Sequence, residues 1–178
     1  MSLTREIILD GIAEAKNDTS IVKPYVMSHG TMECYDLKES RRFYEEFLGL
    51  ECVRHSIPTM AVRCGLKFHI VVVQVGEALK PVHVLNHWGL DVGSKEEVDR
   101  VHAAALEYQD TYKIRKVLPL TMQHGIYAFY MEDLDHNWWE IQYYPGFQNE
   151  DFFDFGDRFT EDGKPVGERD EREIETTV

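Results

Sequence analysis

The stretch SHGTMECYDLKESRRFYEEFLGL, residues 28–50, sets the pattern against which the rest of the chain is read. Met32 and Cys34 alternate as on one half-buried face of a strand, and Asp36 can accept hydrogen bonds from the orphan amides of a first helical turn. Phe43, Phe47 and Leu48 then make an apolar stripe at helical spacing. Gly49 suits the end of that helix, because glycine enters the left-handed conformation without a steric penalty. Sliding the chain by 58 positions lays a second stretch, NHWGLDVGSKEEVDRVHAAALEYQ, residues 86–109, over the first. Asn86-His87 falls on Ser28-His29, Leu90 and Val92 on Met32 and Cys34, Ser94 on the cap, and Val101, Ala105 and Leu106 on the helical stripe.

Strand-like runs follow each helix: Glu51 to Arg54, Ala61 to Arg63 and Phe68 to Val75 in the first copy, and Ile114 to Leu118, Ile126 to Met131 and Trp138 to Tyr144 in the second. Each copy reads βαβββ. The expected fold class is α+β, with two tandem βαβββ modules, residues 24–80 and 81–146, forming a cupped mixed β-sheet with the helices outside. Identity between the copies is low, so the alternative is a generic α+β domain whose matches are accidental.

The flanks differ from the modules. Residues 1–23 hold an amphipathic candidate helix (Ile7, Ile8, Ile12, Ala13) and are expected to form an N-terminal helical arm. Residues 147–178 are expected to form an acidic C-terminal tail; from 150 onward it holds 11 acidic and 4 basic residues. Phe152, Phe153, Phe155 and Phe159 suggest that its first part docks on something, while the composition of the remainder is that of a disordered segment.

Composition narrows the classes of partner. The chain has 178 residues, 43% hydrophobic and 29% charged, long enough to bury roughly 70% of its extended surface without disulfides or structural zinc. With 19 Lys and Arg against 32 Asp and Glu, the net charge of −13 argues against nucleic acid and against an anionic membrane surface, both of which need cations. The longest apolar run, Ile70 to Val73, is far too short to span a bilayer, and the first 24 residues lack a signal-peptide pattern, so a cytoplasmic location is expected. Cys34, Cys52 and Cys64 form no CxxC pair and are expected to be reduced apolar fillers.

The repeat superposes two histidines, His29 and His87, early in equivalent strands, and duplicated modules place equivalent atoms near a shared axis. A third ligand should come from another strand on the same inner face. Glu140, set in Trp138-Trp139-Glu140-Ile141-Gln142-Tyr143, is the candidate, because a carboxylate among large apolar residues is costly to bury unless paired or bound to a cation. Two imidazoles and one carboxylate on one face of a metal leave up to three positions open, the arrangement of non-haem iron(II) enzymes that bind substrate and dioxygen together. Taken singly, each histidine is more often bonded to backbone and each glutamate salt-bridged. The joint pattern favours ligation.

These residues carry a resemblance to the vicinal oxygen chelate superfamily, which includes glyoxalases, bleomycin and fosfomycin resistance proteins, and extradiol ring-cleaving dioxygenases. It covers about residues 25 to 145 and rests on Ser28-His29, the run Tyr35-Asp36-Leu37-Lys38-Glu39-Ser40-Arg41-Arg42-Phe43-Tyr44, Phe47-Leu48-Gly49-Leu50, Asn86-His87 and the segment from Tyr130 to Glu140. The resemblance places the metal ligands at His29, His87 and Glu140. Glyoxalase I members carry a fourth ligand, usually glutamate, in the strand occupied here by Phe68 to Val75, where no carboxylate stands and only Gln74 could substitute. The segment Arg63 to Val72 is instead similar to the extradiol stretch that supplies a catalytic histidine, which would be His69, and Tyr130 stands ten residues before Glu140 as the extradiol tyrosine does. A further family histidine aligns with Thr121, whereas this chain has His124 nearby, so either His124 takes that role or the contact is missing.

What the resemblance implies is an iron(II)-dependent extradiol dioxygenase that cleaves a small aromatic diol with O2. His69 would move a proton to and from the substrate, and Tyr130 would hydrogen-bond a substrate oxygen. The alternatives are a manganese or other divalent-metal enzyme of the same scaffold (a glyoxalase-like lyase, an epimerase or a fosfomycin-type thiol transferase) and a metal-free binding protein. A homodimer or higher homo-oligomer is expected from the superfamily. His55, His83, His102 and His136 are expected to be surface or loop residues, and Trp88, Phe129, Trp138, Trp139, Tyr143 and Tyr144 either line an apolar pocket or pack the core.

Overall fold

Asp36 starts the first helix as its sequence position requires: its side chain accepts from the amides of Lys38 and Glu39 at 2.9 and 3.0 Å. The computed structural model describes residues 19–22, 24, 26–65, 68–146, 148, 152–153 and 156–166; the expected N-terminal helix, Phe155 and the end of the acidic tail lie outside the described residues. The chain divides after Lys80 into two compact units.

In the first unit the order is β1 (His29–Cys34), α1 (Leu37–Arg42), a π-helical turn (Phe43–Phe47), β2 (Glu51–Arg54), β3 (Thr59–Arg63) and β4 (His69–Gln74). The strands lie in the order β1-β4-β3-β2, with β1 parallel to β4 and the other pairs antiparallel. Met32, Cys34, Cys52, Met60, Val62, Ile70 and Val72 are buried on one face together with Phe43 and Tyr44 from the helical segment. The helix does not run on as a regular α-helix. Its last turn widens, with the Leu48 amide bonding the Phe43 carbonyl at 3.2 Å, and consecutive residues Phe43 and Tyr44 are both buried as a result. Gly49, at φ +69°, then reverses the chain so that the Leu50 amide reaches the Tyr44 carbonyl at 2.8 Å.

The second unit repeats the plan: β5 (His87–Asp91), α2 (Lys95–Glu107), the short α3 (Gln109–Tyr112), β6 (Lys116–Val117), β7 (Thr121–Gln123), β8 (Ile126–Glu132) and β9 (Trp138–Tyr143). Ser94 caps α2 by accepting from the Glu97 amide at 3.2 Å. The sheet order is β5-β9-β8-β6, with β5 parallel to β9 and β7 also pairing with β8. The architecture is α+β, with two mixed sheets of four and five strands. The strand expected from Ile114 to Leu118 is shortened to Lys116–Val117, and a further strand, Thr121–Gln123, follows it. Pro119 offers no amide to the ladder, so the edge along β8 breaks after the Leu118 amide bonds the Tyr130 carbonyl at 2.8 Å and resumes at Thr121.

Helix α2 packs on β8 and β9, and Val98, Ala105, Phe129, Met131, Trp139 and Ile141 are buried. Phe129 and Trp139 are therefore core residues under α2, while Trp138, also buried, lies on the opposite face of β9, where its Nε1 donates to the Val82 carbonyl at 3.2 Å. His102 is not the surface residue expected. It falls on the Val98 and Ala105 stripe, sits edge-on to Phe129 at 4.9 Å, and its Nε2 is 3.1 Å from the Leu118 carbonyl. Cys64 departs from the filler role, being exposed while Cys34 and Cys52 are buried. Among the described residues of the tail, Phe152, Phe153 and Phe159 are 49%, 72% and 58% exposed and so are not docked on the rest of the chain. Among the described residues no helix is long and apolar enough to cross a membrane.

The turn between β8 and β9 is held by a buried carboxylate. Asp133 Oδ1 accepts from the amides of Asp135 and Asn137 at 2.8 and 2.9 Å, and Oδ2 accepts from Trp139 Nε1 at 2.9 Å. Trp139→Ala removes the largest fully buried side chain and one of these donors. It should cost about 3–5 kcal/mol in urea unfolding, whereas Trp139→Phe should cost about 1–3 kcal/mol, chiefly from the lost indole donor to Asp133.

Burial, and then the neighbouring Asp135, push the Asp133 carboxyl up from 3.8 to about 7. The folded state thus holds a proton more tightly than the unfolded chain. The stabilisation from protonating Asp133 is fully present below about pH 3.8 and is lost as the pH rises through about 7. Stability measured by urea unfolding should therefore fall between pH 5.5 and pH 7.5, by at most about 1.4 kcal/mol per pH unit, and Asp133→Asn should flatten that dependence.

Candidate metal centre and ligand cavity

Alternation along β9 and β8 decides what the open face of the second sheet presents. Trp139 and Ile141 point into the core, so Glu140 and Gln142 lie on the opposite face, in register with Tyr130 and Ala128 of β8. Glu140 is pinned at both oxygens. The Tyr130 hydroxyl donates to Oε1 at 2.6 Å, and His87 Nε2 stands 3.1 Å from Oε2, the two side chains being 13% and 26% exposed. His87 also meets the Tyr130 ring edge-on at 5.0 Å.

The protonation of His87 follows from its other nitrogen. Nδ1 is 2.8 Å from the Val84 carbonyl, which can only accept, so Nδ1 carries the proton. In the neutral ring Nε2 is then a lone pair facing a carboxylate oxygen, two acceptors 3.1 Å apart. A proton or a cation between them resolves the conflict. A backbone-anchored Nδ1–H with a free Nε2 is also how a metal-ligating histidine is commonly held, so the donor set of His87 and Glu140 fits a divalent metal.

Burial, followed by the hydrogen bond to Glu140, raises the Tyr130 hydroxyl well above the ordinary tyrosine range. At neutral pH Tyr130 is a phenol, and a donor. Glu140 and Tyr130 line a cavity of about 300 Å³ together with Gly89, Thr121, Gln123, His124, Ile126, Ala128, Gln142 and Gln148. His124 reaches this cavity from the two-residue turn joining β7 to β8. There His124 and Gly125 have φ of 52° and 76°, the mirror-image turn that matches the twist of a hairpin.

In the first unit, His29 and His69 are cross-strand partners in the parallel β1–β4 pair, and their rings stack at 5.5 Å with 21° between planes. The Ser28 hydroxyl is 2.8 Å from His29 Nδ1, leaving Nε2 for another partner. Gln74, the one residue that could have supplied a fourth ligand from this strand, instead accepts from the Leu37 amide at 3.2 Å and ties β4 to α1.

The expected ligands are thus divided between the units: His87 and Glu140 meet in the second, and His29 stands in the first beside His69. Within either unit, among the described residues, no three His, Cys, Asp or Glu side chains gather to hold a metal. The remaining histidines go elsewhere. His136, at φ 62° in the β8–β9 turn, is half-buried with Nδ1 2.6 Å from Glu132 Oε1, His83 Nδ1 accepts from the Leu85 amide at 3.2 Å, and His55 Nε2 is 3.1 Å from the Thr59 hydroxyl. Sequence reasoning passed over Thr121, Gln123, Gln142 and Gln148. Gln142 was within reach of it, lying two residues from Glu140 on the same face.

Solved structures share this architecture. A glyoxalase/bleomycin resistance protein/dioxygenase from Nocardioides is 16% identical, with 72% of this chain and 92% of that one covered and a TM-score of 0.53. A possible glyoxalase from Bacillus cereus is 23% identical, over 65% and 96% of the two chains, with a TM-score of 0.52. The oxidase ChaP-H2 is 21% identical, over 71% and 96%, also at 0.52. The chain has the fold of the glyoxalase/bleomycin resistance/dioxygenase proteins, the vicinal oxygen chelate architecture. No family model matches the sequence, and no curated protein does.

Proposed function

We propose that the protein is an iron(II)-dependent extradiol dioxygenase, a soluble cytoplasmic enzyme that cleaves a small aromatic diol with O2 and works as a homodimer or higher homo-oligomer. The observation that carries this reading is the group His87, Glu140 and Tyr130, with His124 on the same cavity: a backbone-anchored imidazole, a carboxylate and a phenol donor converging where an aromatic diol would sit. His29, His87 and Glu140 would hold the metal. When bound, it supplies Lewis acidity toward the diol oxygens and an electron path to dioxygen.

The chain's own residues do the rest. Tyr130, kept protonated by burial and donating to Glu140 in the unliganded site, would turn its hydroxyl to a substrate oxygen once Glu140 takes the metal, and so fix the ring's orientation. His69, beside His29, accepts a proton from the substrate and returns it as general acid. His124, held at the cavity by its tight turn, supplies a second imidazole near the ring.

Elemental analysis of protein purified without oxygen, followed by a catechol panel watched for a yellow ring-opened product, tests the reading. Iron with yellow product supports it. Manganese or another divalent metal with no ring opening makes the protein a lyase, epimerase or thiol transferase of the same scaffold, and absence of any metal makes it a binding protein.

A further inference from the structure

We propose that Gln142 is the specificity-determining residue of the cavity, selecting a ring whose substituent is a neutral hydrogen-bond donor, such as a hydroxyl, and disfavouring a carboxylated ring. The inference rests on the aromatic-diol reading above and names the substrate class within it. Gln142 is 7% exposed yet lines the cavity two residues from Glu140, so the two positions stand about 6.5–7 Å apart along β9, roughly the span of a substituted ring.

The orientation of its amide is fixed by its neighbours. Nε2 donates to Asp91 Oδ1 at 2.5 Å and to Gln148 Oε1 at 3.0 Å. The Asp91 carboxylate can only accept, so the NH2 group must face it, and both amide hydrogens are committed to the protein. The carbonyl oxygen is the polar atom left for a ligand, and an oxygen there rewards a donor. Charge acts in the same direction. The described residues lining the cavity include no Lys or Arg, while Glu140 lines it and Asp91 stands behind Gln142, so an anionic substituent would be desolvated among acids without a counter-charge.

Anaerobic calorimetric titration of the full chain with 4-(hydroxymethyl)catechol, 4-methylcatechol and 3,4-dihydroxybenzoate tests the proposal. The hydroxymethyl compound should bind about tenfold more tightly than the methyl compound, and the carboxylate about tenfold more weakly. Gln142→Met should bring the hydroxymethyl-to-methyl ratio to about one. Asp91→Asn keeps an acceptor for Nε2 but removes its charge, so it should shrink the penalty on the carboxylate and keep the hydroxymethyl preference. A hydroxymethyl preference that survives Gln142→Met, a carboxylate that binds as well as the methyl compound to the unaltered protein, or no binding of any of the three overturns the proposal. Admitting oxygen afterwards separates it from the catalytic reading: the expected binding order without ring cleavage defeats the dioxygenase alone, and cleavage without that order defeats the role of Gln142 alone.

Discussion

Glu140→Ala is expected to abolish metal retention and with it all turnover, and His87→Ala to do the same. Each removes one member of a pair whose geometry has meaning only together, since Val84 fixes the proton on His87 Nδ1 and turns Nε2 toward the Glu140 carboxylate. Loss of an outer partner of a metal ligand already lowers affinity or activity by about 10–100-fold, so loss of a ligand should exceed about 100-fold in both metal content and kcat/KM. Glu140→Ala also frees the Tyr130 hydroxyl from its 2.6 Å acceptor, which should bring the raised Tyr130 ionisation back toward the ordinary tyrosine range. Spectrophotometric titration of tyrosine would show that shift without any metal present, and circular dichroism would confirm that the variant remains folded.

His69→Phe should lower turnover by about 10²–10⁴-fold while leaving iron in place, the scale of loss when a positioned general acid–base is removed. Phenylalanine preserves a ring against His29, whose stacking on His69 at 5.5 Å shapes the first unit's end of the β1–β4 pair. It has no ring nitrogen to carry a proton. Retained catechol cleavage in this variant would remove His69 from the mechanism, and loss of iron along with activity would make its role structural.

The fold was legible wherever the chemistry is local. Asp36 and Ser94 cap helices as their side chains dictate, Gly49 takes the left-handed conformation that ends the first helix, and the inward face of β1 follows a period of two. Three features were not legible. Strand β7 is three residues long and isolated by Pro119, too short for an alternating pattern to register. The widened turn at Phe43–Phe47 keeps the composition of an ordinary helix, and only the Leu48-to-Phe43 bond distinguishes it. His102 read as a surface residue because it lies in the second helix, although its spacing from Val98 and Ala105 places it on the buried stripe, where Phe129 and the Leu118 carbonyl accommodate both faces of its chemistry.

At the candidate site, the residues proposed as ligands stood out in the sequence, whereas those that shape the cavity did not. His29, His87 and Glu140 were singled out as candidate ligands because duplication superposes the two histidines and because an acid among tryptophans demands a partner, and the structure brings His87 and Glu140 together. Gln142 and Gln148 carry no such signature. Their part emerges only when Asp91 is seen fixing one amide and that amide the next. His124 lies between these cases: its histidine was noticed, but its approach to the cavity depends on a left-handed backbone at φ 52° that no residue pattern announced.

The proposed function requires that His29, His87 and Glu140 share one metal ion. A crystal structure of the iron-loaded protein grown without oxygen measures this most directly. The expected result is an iron atom with Nε2 of both histidines and a Glu140 oxygen each about 2.0–2.2 Å away, in the range of ordinary metal–nitrogen and metal–oxygen bonds. Iron held without His29, or His87 and Glu140 still bonded to each other with the metal elsewhere, would contradict it.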